Sequence, residues 1–257
     1  DGHIYVRPDQ IESEIDALLG EVAEVYGWFD LPVEFVFSTK PAKALGDPRL
    51  WEQAERMIES ALSRSGAKWR LNPGDGAFYA PKIDILVRDA LGREWQTATI
   101  QVDLAMLPER FDLEYVDESG ARVRPIAIHR AIYGSLERFI GILVEHYAGA
   151  FPLWLAPEQA VIIPIADRHL GAAAAGLATL RAAGIRASVD DSSNRMQNKI
   201  RLAQEQKVPL MLVVGDKEIE AGGAALRWRD GTQEGPHSWE AIAADLAAKV
   251  RTRSVAP

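Results

Sequence analysis

The sequence predicts two domains: an α+β domain with helices on an antiparallel sheet over residues 1–150, and a small α/β domain with a mixed sheet over residues 151–257. Three observations lead to this prediction. Up to residue 150, helix patterns accompany a run of consecutive strand patterns, which is typical of helices packed on an antiparallel sheet. Beyond residue 157, strand and helix patterns alternate, which is typical of α/β domains. A connector bounded by Pro152 and Pro157 separates the two patterns.

The first domain begins with a long helix pattern at residues 8–29, where apolar residues recur at helical spacing and Pro8 suits a first helical turn. Alternation predicts a strand at 33–38, and a charged amphipathic pattern predicts a helix at 49–65. The stretch from Trp69 to Tyr115 is predicted as antiparallel sheet, punctuated by Gly-rich turns. The remaining predicted elements of this domain are strands at 83–87, 94–103, 111–115 and 124–128, and a helix at 131–147.

The second domain is predicted from the regular alternation of short apolar runs with longer helical patterns. Its predicted strands are 160–164, 185–190, 209–214 and 224–229. Its predicted helices are 169–183, 195–206 and 238–250. Strands that alternate with helices in this way argue for a small α/β domain around a mixed sheet.

Composition excludes several classes of protein. The chain of 257 residues is 47% hydrophobic and contains no cysteine, so disulfides and thiolate chemistry are excluded within it. No apolar run approaches the roughly 20 residues that span a bilayer, so we expect no membrane partner. The absence of cysteine fits a reducing compartment, so we expect a cytoplasmic location. The Asp1-Gly2-His3 start, without Met, suggests part of a longer chain.

Charge is distributed unevenly between the two predicted domains. Residues 1–150 carry a net charge of −9 and residues 151–257 a net charge of +1. This distribution argues against a general polyanion-binding protein, whose affinity comes from many basic contacts. It remains compatible with a structured RNA that is read through a few local contacts.

Polar residues in predicted strands and turns are candidate site residues. Three of them share the predicted strand 94–103, namely Gln96, Thr99 and Gln101. They form either an exposed strand face or a binding surface, because inward polar side chains need hydrogen-bond partners. Tyr79 and Lys82 flank a proline after a Gly-rich turn, where a chain either forms a hairpin or approaches a ligand closely.

A histidine and an arginine also have two interpretations each. His129, at a predicted strand end, is either a structural histidine or a metal ligand. Arg138 is either an ion-pair partner of Glu137 or Glu145, or a phosphate clamp, because guanidinium matches phosphate geometry bidentately. Taken singly, these residues leave both interpretations open.

Five segments stand out when they are taken together, namely Gly76–Asp84, Trp95–Asp103, Leu107–Phe111, Ile128–Phe139 and Val213–Glu218. Occurring in family order along nearly the whole chain, they resemble the threonyl-tRNA synthetase family. The resemblance implies a class II aminoacyl-tRNA synthetase catalytic domain followed by an anticodon-binding domain. It implies a threonine–tRNA ligase that activates threonine with ATP and transfers it to the 3′ end of its tRNA, as part of a longer chain.

The resemblance also implies a zinc ion. His3 and His129 match two ligands, and the third, a cysteine, is expected upstream of Asp1. Zinc with three protein ligands keeps a coordination position open. The amine and hydroxyl of threonine could chelate such an ion whereas valine could not, which gives a discrimination that an apolar pocket does not reach.

The other implied roles follow position by position. The threonine pocket is assigned to Asp1, Tyr79, Gln101 and Ala131. The ATP contacts are assigned to Gln96, Thr99, Ser135 and Arg138, with Arg138 and Lys82 in catalysis and Mg²⁺ expected on the phosphates. The anticodon contacts are assigned to Glu218, Arg227 and Arg201. The implied partners are threonine, ATP, the tRNA for threonine and a second subunit, in a homodimer formed through the upstream region.

Departures from the family pattern leave alternatives open. Ala80, Thr97 and Ala98 replace residues common in the family, and we expect them to add bulk near the pocket. Motif 1, the arginine of motif 2 and the zinc cysteine are expected upstream, so residues 1–257 alone are expected to be inactive. The alternatives are a non-catalytic synthetase-like tRNA-binding or accessory protein, a different synthetase such as the prolyl enzyme, and a duplicate of the housekeeping enzyme.

Overall fold

The computed structural model describes residues 1–104 and 106–254, in two compact units. The first unit is Asp1–Glu145 and the second begins at His146, a few residues before the predicted domain boundary at 150. Over these described residues, no helix combines the length and the apolar character that crossing a membrane requires.

The first unit is built on a six-stranded sheet with helices, as predicted for an α+β domain. Its strands are β1 (Gly2–Val6), β2 (Val33–Ser38), β3 (Trp69–Asn72), β4 (Lys82–Arg88), β5 (Glu94–Asp103), β6 (Tyr115–Val116), β7 (Arg122–Val123) and β8 (Ile126–Ala131). Its helices are α1 (Ile11–Gly27), α2 (Pro48–Arg64), α3 (Met106–Arg110) and α4 (Leu136–His146), and a short 3₁₀ turn covers Pro8–Gln10. The strand order is β1-β8-β5-β4-β2-β3, and β6 pairs with β7 separately.

The two faces of this sheet differ because side chains alternate along a strand. Ile100 and Ile128 are completely buried on the face that packs against the core. Gln101 and His129 are paired in register on neighbouring strands and are only half-buried, on the opposite face. We call this opposite face the open face of the sheet. It carries most of the residues assigned to the site.

Helix α1 contributes an apolar stripe to the core of the first unit. Ile11, Ile15 and Val22 are completely buried at helical spacing, as predicted. Each such burial stabilises the fold by roughly 1.5–3 kcal/mol. On its solvent side, Arg64 of α2 pairs with Glu12 and Asp16 of α1, which orients the two helices.

The direction of β3 was predicted wrongly. β3 pairs with β2 in parallel, whereas the prediction made the whole stretch from Trp69 antiparallel. The reason is that α2 carries the chain back between the two strands, and such a helical crossover returns the chain in its original direction.

The predicted strand at 111–115 was also wrong. The buried Asp103 carboxylate accepts the backbone N–H groups of Met106 and Leu107 at 2.7 and 2.8 Å, which starts the short helix α3. Asp112 then takes a positive φ of 49° that no regular strand accommodates. Phe111 is 69% exposed, so its apolar character does not mark a core position.

Helix α4 begins later than the predicted residue 131. Ala131 completes β8, and Gly134 has a φ of +58° in the loop that precedes α4. A Cβ at Gly134 would lie 3.0 Å from the carbonyl oxygen of Thr97, so the loop passes directly against β5. The positive φ and this close approach both favour glycine here.

The second unit is an α/β fold on a mixed sheet, which confirms the prediction. Its strands are β9 (Ala160–Pro164), β10 (Ala187–Val189), β11 (Leu210–Val214), β12 (Gly223–Trp228) and β13 (Gln233–Ser238). Its helices are α5 (Leu170–Ala182), α6 (Met196–Glu205), α7 (Asp216–Glu220) and α8 (Trp239–Arg251), with a 3₁₀ turn at Asp167–His169. The order is β10-β9-β11-β12-β13, with the first three strands parallel and the last two antiparallel.

Two elements of the second unit were not predicted, β13 and α7. Strand β13 is an exposed edge strand containing Gly235 and Pro236, so it lacks the apolar alternation that signals a strand. Helix α7 spans one turn and a little more, which is too short for a helical period to be recognised in the sequence.

Candidate active site

Two imidazole rings pack together on the open face. His3 of β1 and His129 of β8 are directly opposite each other in the antiparallel ladder. Their ring centroids are 4.6 Å apart and the ring planes differ by 12°. Pairing in register therefore brings together two residues that lie far apart in the chain.

A chain of polar contacts surrounds His129. The Tyr79 hydroxyl donates a hydrogen bond to Gln101 Oε1, and His129 Nδ1 lies 3.3 Å from that same oxygen. On its other side, His129 Nε2 lies 3.2 Å from Oδ1 of Asp1. Burial lowers the pKa of His129 and raises the pKa of Tyr79, so both are neutral near pH 7.

These contacts bear on the metal that the family resemblance implies. If Nδ1–H of His129 donates to Gln101, then the Nε2 lone pair faces the Asp1 carboxylate, and two acceptors 3.2 Å apart favour a cation between or beside them. Neutral imidazole is also the form that binds zinc. Across residues 1–104 and 106–254, however, no group of three His, Cys, Asp or Glu side chains is arranged around one metal position. The histidines fit part of a zinc site.

A second polar cluster lies on β4 and centres on Asp84. This carboxylate is buried and lies 2.9 Å from the Lys82 ammonium. It also accepts hydrogen bonds from Ser38 Oγ, at 2.8 Å, and from Gln96 Nε2. The charge of Lys82 is thus balanced and its side chain is only 14% exposed. Asp84 orients two of the assigned residues, Lys82 and Gln96.

Sequence reasoning did not assign Asp84 a role. The available signal was a carboxylate between two isoleucines, Ile83 and Ile85, in a predicted strand. A buried acid in such a place requires polar partners. Those partners come from β2 and β5, which only the folded sheet brings together.

Strands β4, β5 and β8 connect the two clusters. Thr99 is in register with Asp84 on one side and with Ala131 on the other. Gln101 Nε2 lies 3.4 Å from Thr99 Oγ1. The assigned residues of β5 therefore form a continuous polar row from Gln96 to Gln101 on the open face.

Arg138 and Ser135 lie at the start of α4. Ser135 Oγ accepts the backbone N–H of Arg138 at 3.3 Å and donates to Glu137 at 2.9 Å. The ion-pair interpretation of Arg138 was wrong, because Glu137 contacts Ser135 and Glu145 pairs with Arg93. The exposed guanidinium of Arg138 instead lies over the indole of Trp95, 5.6 Å from the ring centroid.

The expectation that Ala80, Thr97 and Ala98 add bulk to the pocket was wrong. Ala80 and Ala98 are almost completely buried, so neither methyl group reaches a ligand. In the pairing of β4 with β5, Ile85 is opposite Ala98 and Leu86 is opposite Gln96. Thr97 is therefore the extra residue of a β-bulge in β5. The Thr97 side chain is buried on the core side.

Tyr26 of α1 connects this bulge to the loop before α4 through hydrogen bonds. Its hydroxyl lies 2.7 Å from Thr97 Oγ1 and 2.6 Å from the carbonyl oxygen of Ile132. Burial raises the pKa of Tyr26 to about 12, so it remains a hydrogen-bond donor at neutral pH. One buried hydroxyl thus connects the strand that carries Gln96 with the loop that leads to Arg138.

Replacing Tyr26 by phenylalanine should lower the free energy of unfolding by about 1–3 kcal/mol, because the buried Ile132 carbonyl loses its donor and the buried Thr97 hydroxyl loses its hydrogen-bond partner. The matched control is Tyr5→Phe: Tyr5 is 55% exposed, and that change should stay within about 0.5 kcal/mol. Urea unfolding followed by circular dichroism measures both changes. Equal stability of the two variants would contradict the bracing role of Tyr26.

The assigned anticodon residues all lie in the second unit. Glu218 of α7 accepts the backbone N–H of Gly215 at 2.9 Å, so one carboxylate oxygen caps the helix. Among the residues that the structure describes, Nε of Arg227 on β12 is buried without a hydrogen-bond partner. Arg201 is exposed on α6, where it pairs with Glu205 and contacts Asn198. No hydrogen bond or ion pair joins these three residues to one another in the described part of the chain.

Family models match both parts of the chain. The tRNA synthetase class II core domain (G, H, P, S and T) matches residues 1–147, and an anticodon-binding domain matches residues 159–249. The crystal structure of the RNA-binding domain of threonyl-tRNA synthetase from Cryptosporidium parvum superposes with a TM-score of 0.89. It shares 37% sequence identity and covers 96% of this chain and 62% of that one.

Curated relatives are much longer than this chain. It is 53% identical over 231 residues to the threonine–tRNA ligase of Anaeromyxobacter dehalogenans, covering 90% of the chain and 35% of the relative. It is 50% identical to the threonine–tRNA ligase of Deinococcus deserti, covering 98% of the chain and 40% of the relative. These matches confirm the resemblance carried by the five sequence segments. The chain therefore belongs to the class II tRNA synthetase family and resembles its threonyl members, with a class II core domain followed by an anticodon-binding domain.

Proposed function

We propose that the protein containing this chain is a threonine–tRNA ligase, which activates threonine with ATP and transfers it to the 3′ end of its tRNA. The observation that carries the proposal is the cluster of Asp1, His3, Tyr79, Gln101 and His129 on the open face. Its two imidazoles, carboxylate and amide suit a small ligand with an amine and a hydroxyl. About half of the residues are shared with relatives named for this activity.

The proposed threonine pocket uses the polar chain around His129. The Asp1 carboxylate, 71% exposed, is free to turn toward the ammonium group of the amino acid. Tyr79 and Gln101 hold each other through their hydrogen bond and so present fixed polar atoms to the same group. Ala131 borders the pocket beside Thr99, where a larger side chain would occupy the open face.

His3 and His129 would hold the zinc ion of this pocket, with a cysteine of the longer protein as the third ligand. When bound, the metal would supply an open coordination position for the amine and hydroxyl of threonine. The chain's own contribution is to hold His129 in one orientation, because Gln101 and Tyr79 contact Nδ1, so that Nε2, which faces the exposed Asp1 carboxylate, would be the metal-binding nitrogen.

The proposed ATP site lies at the other end of the polar row. Gln96 and Thr99 present amide and hydroxyl groups to the adenosine moiety, and Asp84 fixes the orientation of the Gln96 amide. The Arg138 guanidinium, exposed and without a carboxylate partner among the described residues, suits the terminal phosphate. Ser135 fixes the first turn of α4 beneath it. Mg²⁺ would neutralise phosphate charge when bound.

In the proposed reaction, the threonine carboxylate attacks the α-phosphate in line with the departing pyrophosphate. The residues of this chain act by positioning the two substrates along one face of a rigid sheet, and by balancing phosphate charge. Lys82 contributes to this electrostatic environment through the Asp84 pair rather than as a free ammonium.

The proposed tRNA contacts lie in the second unit. Glu218 retains one carboxylate oxygen for an exposed base edge, and Arg227 carries an unpartnered buried Nε within the described residues. Arg201 adds a positive charge on the neighbouring helix α6. We further propose a cytoplasmic enzyme that acts as a homodimer through the region upstream of Asp1.

The test is threonine-dependent exchange of pyrophosphate into ATP by the complete protein. We expect exchange with threonine, at least about 100-fold less with valine or proline, and charging of the tRNA for threonine. The chain of residues 1–257 alone is expected to give none, because a zinc ligand and a phosphate-binding arginine are expected elsewhere in the protein. Exchange with proline would favour a prolyl enzyme. Binding of tRNA without any exchange would favour a non-catalytic accessory protein.

A further inference from the structure

Trp95 is the sequence neighbour of one residue assigned to ATP and contacts another. It immediately precedes Gln96 in β5, so its side chain lies on the opposite face of the sheet from Gln96, and its indole ring lies beneath the Arg138 guanidinium at 5.6 Å. Trp95 and Arg138 come from different elements, so this contact depends on the packing of α4 beside β5. No role was assigned to Trp95 from the sequence.

The indole ring is held by contacts of its own. Its Nε1–H donates to Oδ2 of Asp89 at 2.7 Å. The Asp89 side chain is completely buried and also accepts the backbone N–H groups of Leu91 and Arg93, each at 2.9 Å. A buried carboxylate with several donors is a rigid anchor. The ring is therefore fixed before any ligand binds.

A second guanidinium lies over the same ring, and its charge is balanced. The Arg93 guanidinium is 5.6 Å from the Trp95 centroid and pairs with Asp89 at 2.5 Å and with Glu145 at 3.1 Å. Arg138 has no carboxylate within ion-pair distance in residues 1–104 and 106–254. Its charge thus remains available to an anion while the ring restricts its position.

We infer that Trp95 is a positioning residue, whose anchored indole holds the Arg138 guanidinium at the phosphate end of the proposed ATP site. The inference rests on the proposed function and adds a residue to it. Attraction between a guanidinium and an indole face is strong enough to reduce the freedom of a long side chain, while leaving its N–H groups available to phosphate. The Arg138 side chain then loses less conformational entropy when ATP binds.

The test compares Trp95→Leu with Trp95→Phe in the complete protein. We expect Trp95→Leu to raise KM for ATP about tenfold, with KM for threonine changed less than about twofold. Trp95→Phe keeps an aromatic face and should restore KM for ATP to within about threefold of the wild-type value. Arg88→Gln is the matched control, an exposed arginine at the end of β4 that pairs with Glu94 and does not contact the indole, and it should change KM for ATP less than about twofold. Equal changes in both KM values would indicate a merely structural role and overturn the inference.

A double-mutant cycle with Arg138→Gln asks whether Trp95 acts through Arg138. In the Arg138→Gln background, Trp95→Leu should weaken ATP binding by less than about twofold, because the side chain that it positions is absent. Additive effects of the two changes would overturn the inference.

Calorimetric titration with a non-hydrolysable ATP analogue compares the binding affinities of the wild-type protein and the Trp95 variants without any reaction taking place. It also separates the two proposals. Absence of threonine-dependent exchange in the wild-type protein would contradict the proposed function, whereas the titration still tests Trp95. If Trp95→Leu does not fold, a comparison of Trp95→Phe with Trp95→His tests whether the affinity for the analogue depends on the ring at this position. Equal affinities of the wild-type protein and both variants would overturn the inference.

Discussion

Replacing Arg138 by glutamine should lower kcat/KM for ATP in threonine-dependent exchange by about 10²–10³-fold. The guanidinium is exposed at the start of α4, and it has no carboxylate partner in the described part of the chain. Glutamine retains polarity but loses both the charge and the planar array of donors that matches a phosphate. Steady-state exchange kinetics of the complete protein at varied ATP measure the loss.

The control is Arg122→Gln, the same change at an exposed arginine of the first unit. Arg122 pairs with Glu114 in the β6–β7 hairpin, and its side chain is 77% exposed. Such surface ion pairs contribute about 0–1 kcal/mol, so stability and kinetics should be nearly unchanged. A loss smaller than about threefold in Arg138→Gln, with the protein folded, would contradict the assignment of Arg138 to the phosphates.

Replacing His129 by alanine should remove bound zinc from the complete protein and lower exchange with threonine by about 10³-fold. His129 is the better supported of the two imidazole ligands, because Gln101, Tyr79 and Asp1 all contact its nitrogens. Loss of one of three protein ligands weakens a zinc site strongly. Metal analysis by mass spectrometry reads the zinc content independently of activity.

The control for this change is His237→Ala in the second unit. His237 lies on the exposed edge strand β13 and pairs with Glu234 at 3.4 Å. We expect the zinc content of this variant to equal that of the wild-type protein. Full zinc occupancy in His129→Ala would refute the metal assignment, whatever its effect on activity.

Regular elements with a strong local period were predictable from the sequence. Helix α1 buries Ile11, Ile15 and Val22 at the spacing that predicted it, and β2 and β9 have the predicted bounds. In such segments the pattern of burial is repeated along the chain itself, so the information is local. Short or polar edge elements such as β13 carry no such repeat, because pairing with a neighbouring strand decides their conformation.

The identities of the proposed site residues were available from motif order, but their partners were not. Gln101 and Tyr79 were both assigned to the threonine pocket, yet only the folded structure shows that they hydrogen-bond each other and contact His129. Asp84 and Trp95 were missed because their significance lies in contacts with residues on other strands and helices. Thr97 was misplaced because a β-bulge turned its side chain toward Tyr26.

The sequence by itself determined the family, the order of the two domains and the residue types available for chemistry. Motifs and periodicities are local, so they can be read without knowing which segments meet. Tertiary structure alone decided that His3 faces His129, that Arg138 lies over Trp95 and that Lys82 is balanced by Asp84. Strand register and helix packing determine these contacts, and both depend on the free energy of the whole fold rather than on any one segment.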